Sequence, residues 1–192
     1  MVVGIGEALS VGCALAWAVG VILYRRLGEH LPPLALTFVK NSLVWVMLVI
    51  SVLVVHGPAW PALTATQWFL TALSGVLGMA LADVLYLRAL NAIGAGAMGI
   101  IGNLYSPCVI ALSFVFLGER FGPQQALGFG LVMAGVVLVG YRSPLKEQVP
   151  GQTKGMLLGA ASIAVMAVAI VIVKRVLEES PLFWITLIRM SA

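Results

Sequence analysis

Lys40 and Asp83 are opposite charges set inside long apolar runs. A charge at the centre of a membrane helix costs about 2.5–3.5 kcal/mol on insertion scales, so one that persists has a partner or a task. Lys40 lies seven residues into the second apolar run, and Asp83 seven residues before the end of the third. On antiparallel helices, a rise of ~1.5 Å per residue puts both about 10 Å from the same membrane face. There they would contact a substrate or a coupling proton. Alternatively they form an ion pair that only locks two helices, with Lys40 partly snorkelling. Tyr86 is one turn from Asp83 and shares its helix face. Arg189 is another cation within an apolar run.

Asn103, Tyr105 and Pro107 fall midway along the fourth run. Pro107 has no N–H, so the Asn103 carbonyl loses its helical donor. A freed carbonyl and a kink suit a cavity wall, or the kink stands alone. Trp17, midway along the first run, is placed to line a pocket or to pack between helices. The substrate-pathway candidates are therefore Trp17, Lys40, Asp83, Tyr86, Asn103, Tyr105, Pro107 and Arg189. Glu119 and Arg120 sit in a short turn and read as a local cap or loop ion pair.

Other signals are weaker. Gly94, Gly96 and Gly99 spell G-x-G-x-x-G, but the dinucleotide fingerprint needs a preceding strand. Here the glycines open an apolar run. With Gly75, Gly78, Gly128, Gly130 and Gly135 they read as close helix contact. His30 and His56 have no Cys or carboxylate at ligand spacing, and no Ser-His-Asp or Cys-His set is visible. The expectation is no metal, no cofactor and no enzymatic activity. Cys13 and Cys108 both lie in apolar runs, which argues for buried free thiols.

These residues must be positioned by membrane helices. The chain is 61% hydrophobic and 9% charged, against about 25% charged in a soluble domain. That excludes an ordinary soluble enzyme. Without a basic block, the net charge of +4 gives no nucleic-acid face. Spans of about 20 apolar residues are expected at 7–27, 34–55, 67–90, 93–117, 122–141 and 155–176. Residues 181–192 read as part of a seventh. The fold class is all-α, a polytopic transmembrane helical bundle.

An internal repeat organises the spans. Shifted by 149 positions, Gly6–Ser42 aligns with Gly155–Ser191 without a gap, and nine of 37 positions are identical. They include Arg26/Arg175, Glu29/Glu178, Pro32/Pro181 and Thr37/Thr186, while Lys40 falls on Arg189. Five spans separate the copies, so the second enters the membrane from the opposite side. That is an inverted-topology repeat of the kind many secondary transporters use. The expected domains are a first five-helix repeat at 1–143, a linker at 144–154, and an incomplete second repeat at 155–192.

One ordered set of motifs points further. It runs Ala82-Asp83-Val84-Leu85-Tyr86-Leu87-Arg88-Ala89-Leu90, then Ile93-Gly94-Ala95, Tyr105-Ser106-Pro107, Phe116-Leu117-Gly118-Glu119-Arg120, Gly128 and Gly135-Val136. The chain resembles the EamA-type transporters of the drug/metabolite transporter superfamily, cut short after the start of the second repeat. The resemblance implies ten helices in two inverted five-helix repeats. It implies export of metabolites, amino acids or drugs by alternating access, at a plasma membrane (the inner one in a bacterium). The expected partners are the lipid bilayer and a small-molecule substrate, with a homodimer or a missing second-half segment completing the fold. The alternative is a membrane half-unit that does not transport, or does so only with a partner. Positive residues near span ends favour an external N-terminus, whereas the family implies an internal one.

Overall fold

The computed structural model describes residues 4–58, 60–118, 122–142 and 152–192. Among the described residues eight α-helices follow one another: α1 (Ile5–Leu27), α2 (Pro33–His56), α3 (Ala65–Gly75), α4 (Ala82–Gly102), α5 (Tyr105–Leu112), α6 (Pro123–Arg142), α7 (Gln152–Glu179) and α8 (Leu182–Ser191). Two π-helical segments, Val76–Leu81 and Ser113–Leu117, join α3 to α4 and extend α5. No strand occurs among the described residues. The Glu119-Arg120 turn and most of the 144–154 linker lie outside them.

Local chemistry sets the helix ends. Thr64 and Gln67 form a reciprocal capping box at the start of α3, which satisfies two otherwise free donors. Pro33 opens α2, where its missing N–H costs nothing. Gly57, at φ 69°, closes α2. Pro32 (φ −64°, ψ 145°) and Pro181 (φ −59°, ψ 118°) precede α2 and α8. Each carbonyl accepts from the residue four on, Leu36 at 3.1 Å and Ile185 at 3.2 Å. The two helices thus begin in the same register of the 149-residue shift.

The third and fourth spans depart from expectation in two places. The backbone turns at Gly94 (φ 81°, ψ 167°), inside the range given for α4. The fourth span is not a single kinked helix but breaks at Asn103 and Leu104.

Helix ends fix the relative directions. Arg25 donates to the Asn91 carbonyl at 2.6 Å, and the Asn91 amide donates to the Gly28 carbonyl at 3.1 Å. Gly155 packs so tightly on Ala92 and Ile93 that a Cβ has no room. The end of α1, the turn near Gly94 and the start of α7 therefore share one face of the bundle. At the other face, Gln67 at the start of α3 donates to Glu179 at the end of α7, at 3.3 Å. Helices α1 and α7 run in opposite directions.

Helix α7 forms the centre, against α4, α5 and α3. Gly159 lets Met98 and Ile101 approach closely, and Ser74 donates to the Ala169 carbonyl at 2.6 Å. In lipid, where apolar burial gives no drive, helix association rests on such packing and on interhelical hydrogen bonds of about 0.6–2 kcal/mol each. Helices α1 and α2 leave most of their apolar residues exposed. Cys13 is consequently exposed rather than buried, although both cysteines are unpaired.

The glycines divide. Gly75 meets the Arg189 backbone, and Gly78 meets Ala169. Those two serve close contact as expected. Gly94, Gly96, Gly99, Gly128, Gly130 and Gly135 have no such neighbour among the described residues.

Candidate functional site

Four elements line a half-open cavity of about 740 Å³: α1, α4, the start of α5, and α7. Helix α1 brings Trp17, Ala18, Val21 and Ile22. The Trp17 ring stands edge-on to Tyr86 of α4, with centroids 6.2 Å apart and planes at 62°. Such an edge-to-face pair is worth about 0.5–1.5 kcal/mol beyond its burial. It holds two amphipathic rings at the cavity wall.

Gly96 and Gly99 lie in the same wall, and a Cβ at either would meet nothing within 4 Å. Their contribution is space. The backbone then breaks at Asn103 and Leu104. The Asn103 N–H bonds Ile100 at 3.2 Å instead of Gly99, and the Asn103 side-chain amide serves the Gly99 carbonyl at 3.1 Å. Pro107 supplies no donor to the Asn103 carbonyl, and the break delivers Asn103 and Tyr105 to the cavity. Ile163 and Met166 of α7 complete it.

Four of the eight candidates, Trp17, Tyr86, Asn103 and Tyr105, thus meet in one cavity. Pro107 is buried behind the wall. Lys40 and Asp83 form the ion pair that their spacing allowed. Their side chains are 23% and 15% exposed, so the pair is half-buried. It stands beside the cavity, with Asp83 in electrostatic reach of Tyr24 and Tyr86. The Lys40 ammonium lies 6.0 Å from the centre of the Tyr24 ring, at the outer limit of a cation–π contact.

Arg189 stands apart from the cavity wall, packed on Gly75 and Gly78. Its Nε has no partner among the described residues, and Tyr105 lies within its electrostatic reach.

Several residues escaped the sequence reading. Asn41 donates to the Met79 carbonyl at 2.7 Å, which serves the irregular backbone of the first π-helical segment. Asn91 ties the ends of α1 and the third span together. Asn41, beside Lys40, is an amide within a span, which is itself a signal; Asn91 falls between two expected spans and gave none.

The cavity walls are apolar and aromatic with a few polar tips, the usual composition of a small-molecule site. No curated protein matches the chain, and no solved structure matches it. The family model of the EamA-like transporter family matches residues 4–141, which spans α1 to α6. With that match and these apolar helices, the chain belongs to the EamA-like transporter family and is an integral membrane protein of the drug/metabolite transporter type.

Proposed function

We propose that the protein is a secondary transporter that exports a small metabolite, amino acid or drug by alternating access. The carrying observation is the cavity itself. Trp17, Tyr86, Asn103 and Tyr105 meet there, and α7 lines it with Ile163 and Met166. Helix α7 is the repeat counterpart of α1 and runs against it, so the cavity lies between the two repeat copies. Alternating access in inverted-repeat transporters is rocking of one copy against the other around such a site. The matching starts of α2 and α8 support the repeat. Its proposed location is a plasma membrane, the inner one in a bacterium.

The test is flux. The protein is reconstituted in liposomes and screened by solid-supported-membrane recording with amino acids, nucleosides and cationic dyes. At least one compound is expected to give a saturable signal, and Trp17→Ala is expected to abolish it at normal expression. Silence across the panel would put the partner-dependent half-unit in its place.

A further inference from the structure

The walls of the cavity around Trp17 are particular enough to name the chemical group that fits them. None of the lining comes from α8; all of it lies between Trp17 and Met166.

The α4 wall is bare backbone. Gly96, Gly99 and Gly102 all line the cavity, and a Cβ at any of the three would meet nothing within 4 Å. Gly96, Gly99 and Asn103 fall at i, i+3 and i+7, so they share one helix face. Glycine has no side chain to hold a guest off, and a flat ring lies close on such a strip where a puckered one stands away. The α1 wall adds an aromatic surface. Trp17 pairs edge-on with Tyr86 yet stays 58% exposed, so much of its ring is free. Aromatic rings favour offset or edge-on contact with another ring, which a saturated ring cannot return.

Polar groups mark where the guest's own polar atom goes. The Asn103 amide nitrogen is held by the Gly99 carbonyl at 3.1 Å, which leaves the side-chain oxygen as an acceptor. Asn103 is exposed at the break between α4 and α5, so that oxygen is within reach. Tyr86 is only 7% exposed, and neither its hydroxyl nor that of Tyr105 is hydrogen-bonded among the described residues. Neither belongs to the sealed polar atoms that lack a partner, so both open on the cavity they line. A tyrosine hydroxyl donates or accepts, but the Asn103 oxygen only accepts. The guest must therefore bring a donor.

Among the described residues no charged side chain lines the cavity, and Lys40 and Asp83 beside it are paired with each other. A charge on the guest's ring would be desolvated there without a counter-charge.

We propose that the cavity receives a flat, uncharged ring carrying one O–H or N–H donor, laid on the glycine strip with the donor on the Asn103 side-chain oxygen. The inference rests on the transport reading, since it takes this cavity as the substrate's site, and it narrows the substrate to compounds that present such a ring.

The test measures binding to the full chain in phosphatidylcholine nanodiscs by saturation-transfer NMR, with empty nanodiscs subtracted for partition into lipid. Phenol is the probe. Anisole keeps the ring and loses the donor; cyclohexanol keeps the donor and loses the flat ring. Saturable phenol binding is expected, about tenfold tighter than either control. Asn103→Ala should weaken phenol about tenfold, the loss of one hydrogen bond, and leave anisole unchanged. Gly99→Val, which fills the strip, should weaken phenol and anisole alike. Equal affinity for phenol and either control, wild-type phenol binding by both variants, or no saturable phenol signal would overturn the proposal. Binding is read apart from flux, so the two readings fail separately. Flux of another compound without phenol binding would overturn the ring assignment and leave transport standing. Phenol binding by a chain that moves nothing would support the ring and remove the transport.

Discussion

The Lys40 ammonium donates to the Asp83 carboxylate and ties α2 to α4 beside the cavity, not in its wall. Asp83 opens α4 just after the first π-helical segment, and Asn41, next to Lys40, holds the Met79 carbonyl within that segment. The two adjacent α2 side chains thus brace one irregular stretch of backbone. This arrangement favours the locking role over direct contact with solute.

The first prediction separates those roles. Asp83→Asn leaves Lys40 without a counter-charge and should cost about 3 kcal/mol, the low end for breaking a buried pair because both ends keep some exposure. The double variant Lys40→Met, Asp83→Leu removes both charges and should cost less than either single change. Thermal unfolding in detergent reads the cycle. Flux in the double variant is expected to persist. Lost flux in a folded double variant would give the pair to substrate or a proton instead.

Two classes of glycine predict opposite outcomes. A Cβ at Gly75 would strike the Arg189 backbone, and one at Gly78 would lie 3.0 Å from Ala169. Gly75→Ala and Gly78→Ala should each cost about 1–3 kcal/mol through overpacking. Gly128 and Gly135 face open space. Alanine there should be neutral or add up to about 0.5–1 kcal/mol of helix preference. Melting points of the four variants check the division.

The long apolar helices α1, α2 and α7 and the α3–α4 stretch were legible because lipid forces each backbone segment to satisfy itself, so length and hydropathy carry the answer; the broken fourth span was not. The Lys40–Asp83 pair followed from helix rise and antiparallel direction. The π-helical segments were not legible, because a shift in hydrogen-bond register leaves no mark on hydropathy. Glycine was ambiguous for a related reason: Gly78 in a contact and Gly96 at a cavity wall are the same letter. Cys13 read as buried because hydropathy does not say which face of α1 meets other helices. Arg189 joined the site list on its charge, but its place depended on how α8 packs against the first π-helical segment.

Gly94 predicts a backbone effect without a packing effect. Its φ of 81° and ψ of 167° belong to a region that only glycine occupies readily. Nothing lies within 4 Å of its would-be Cβ. Gly94→Ala should therefore cost about 1–3 kcal/mol from strain alone. Gly96→Ala should fold normally, yet take volume from the cavity and lower flux. Unfolding and flux measured on the pair distinguish strain from space.

Pro107 makes the last case. In an unbroken helix the Asn103 carbonyl would accept from residue 107, and proline forbids it. Alanine restores that donor and lets the helices on either side of Asn103 and Leu104 join. Each residue then follows the regular turn of about 100°, which carries Asn103 and Tyr105 off the cavity wall. Pro107→Ala should thus match or exceed the wild type in melting temperature while its flux falls. The gain in one and loss in the other would show that the broken backbone is kept for the cavity. Unchanged flux in a stabilised variant would mean that the break can close without disturbing the path.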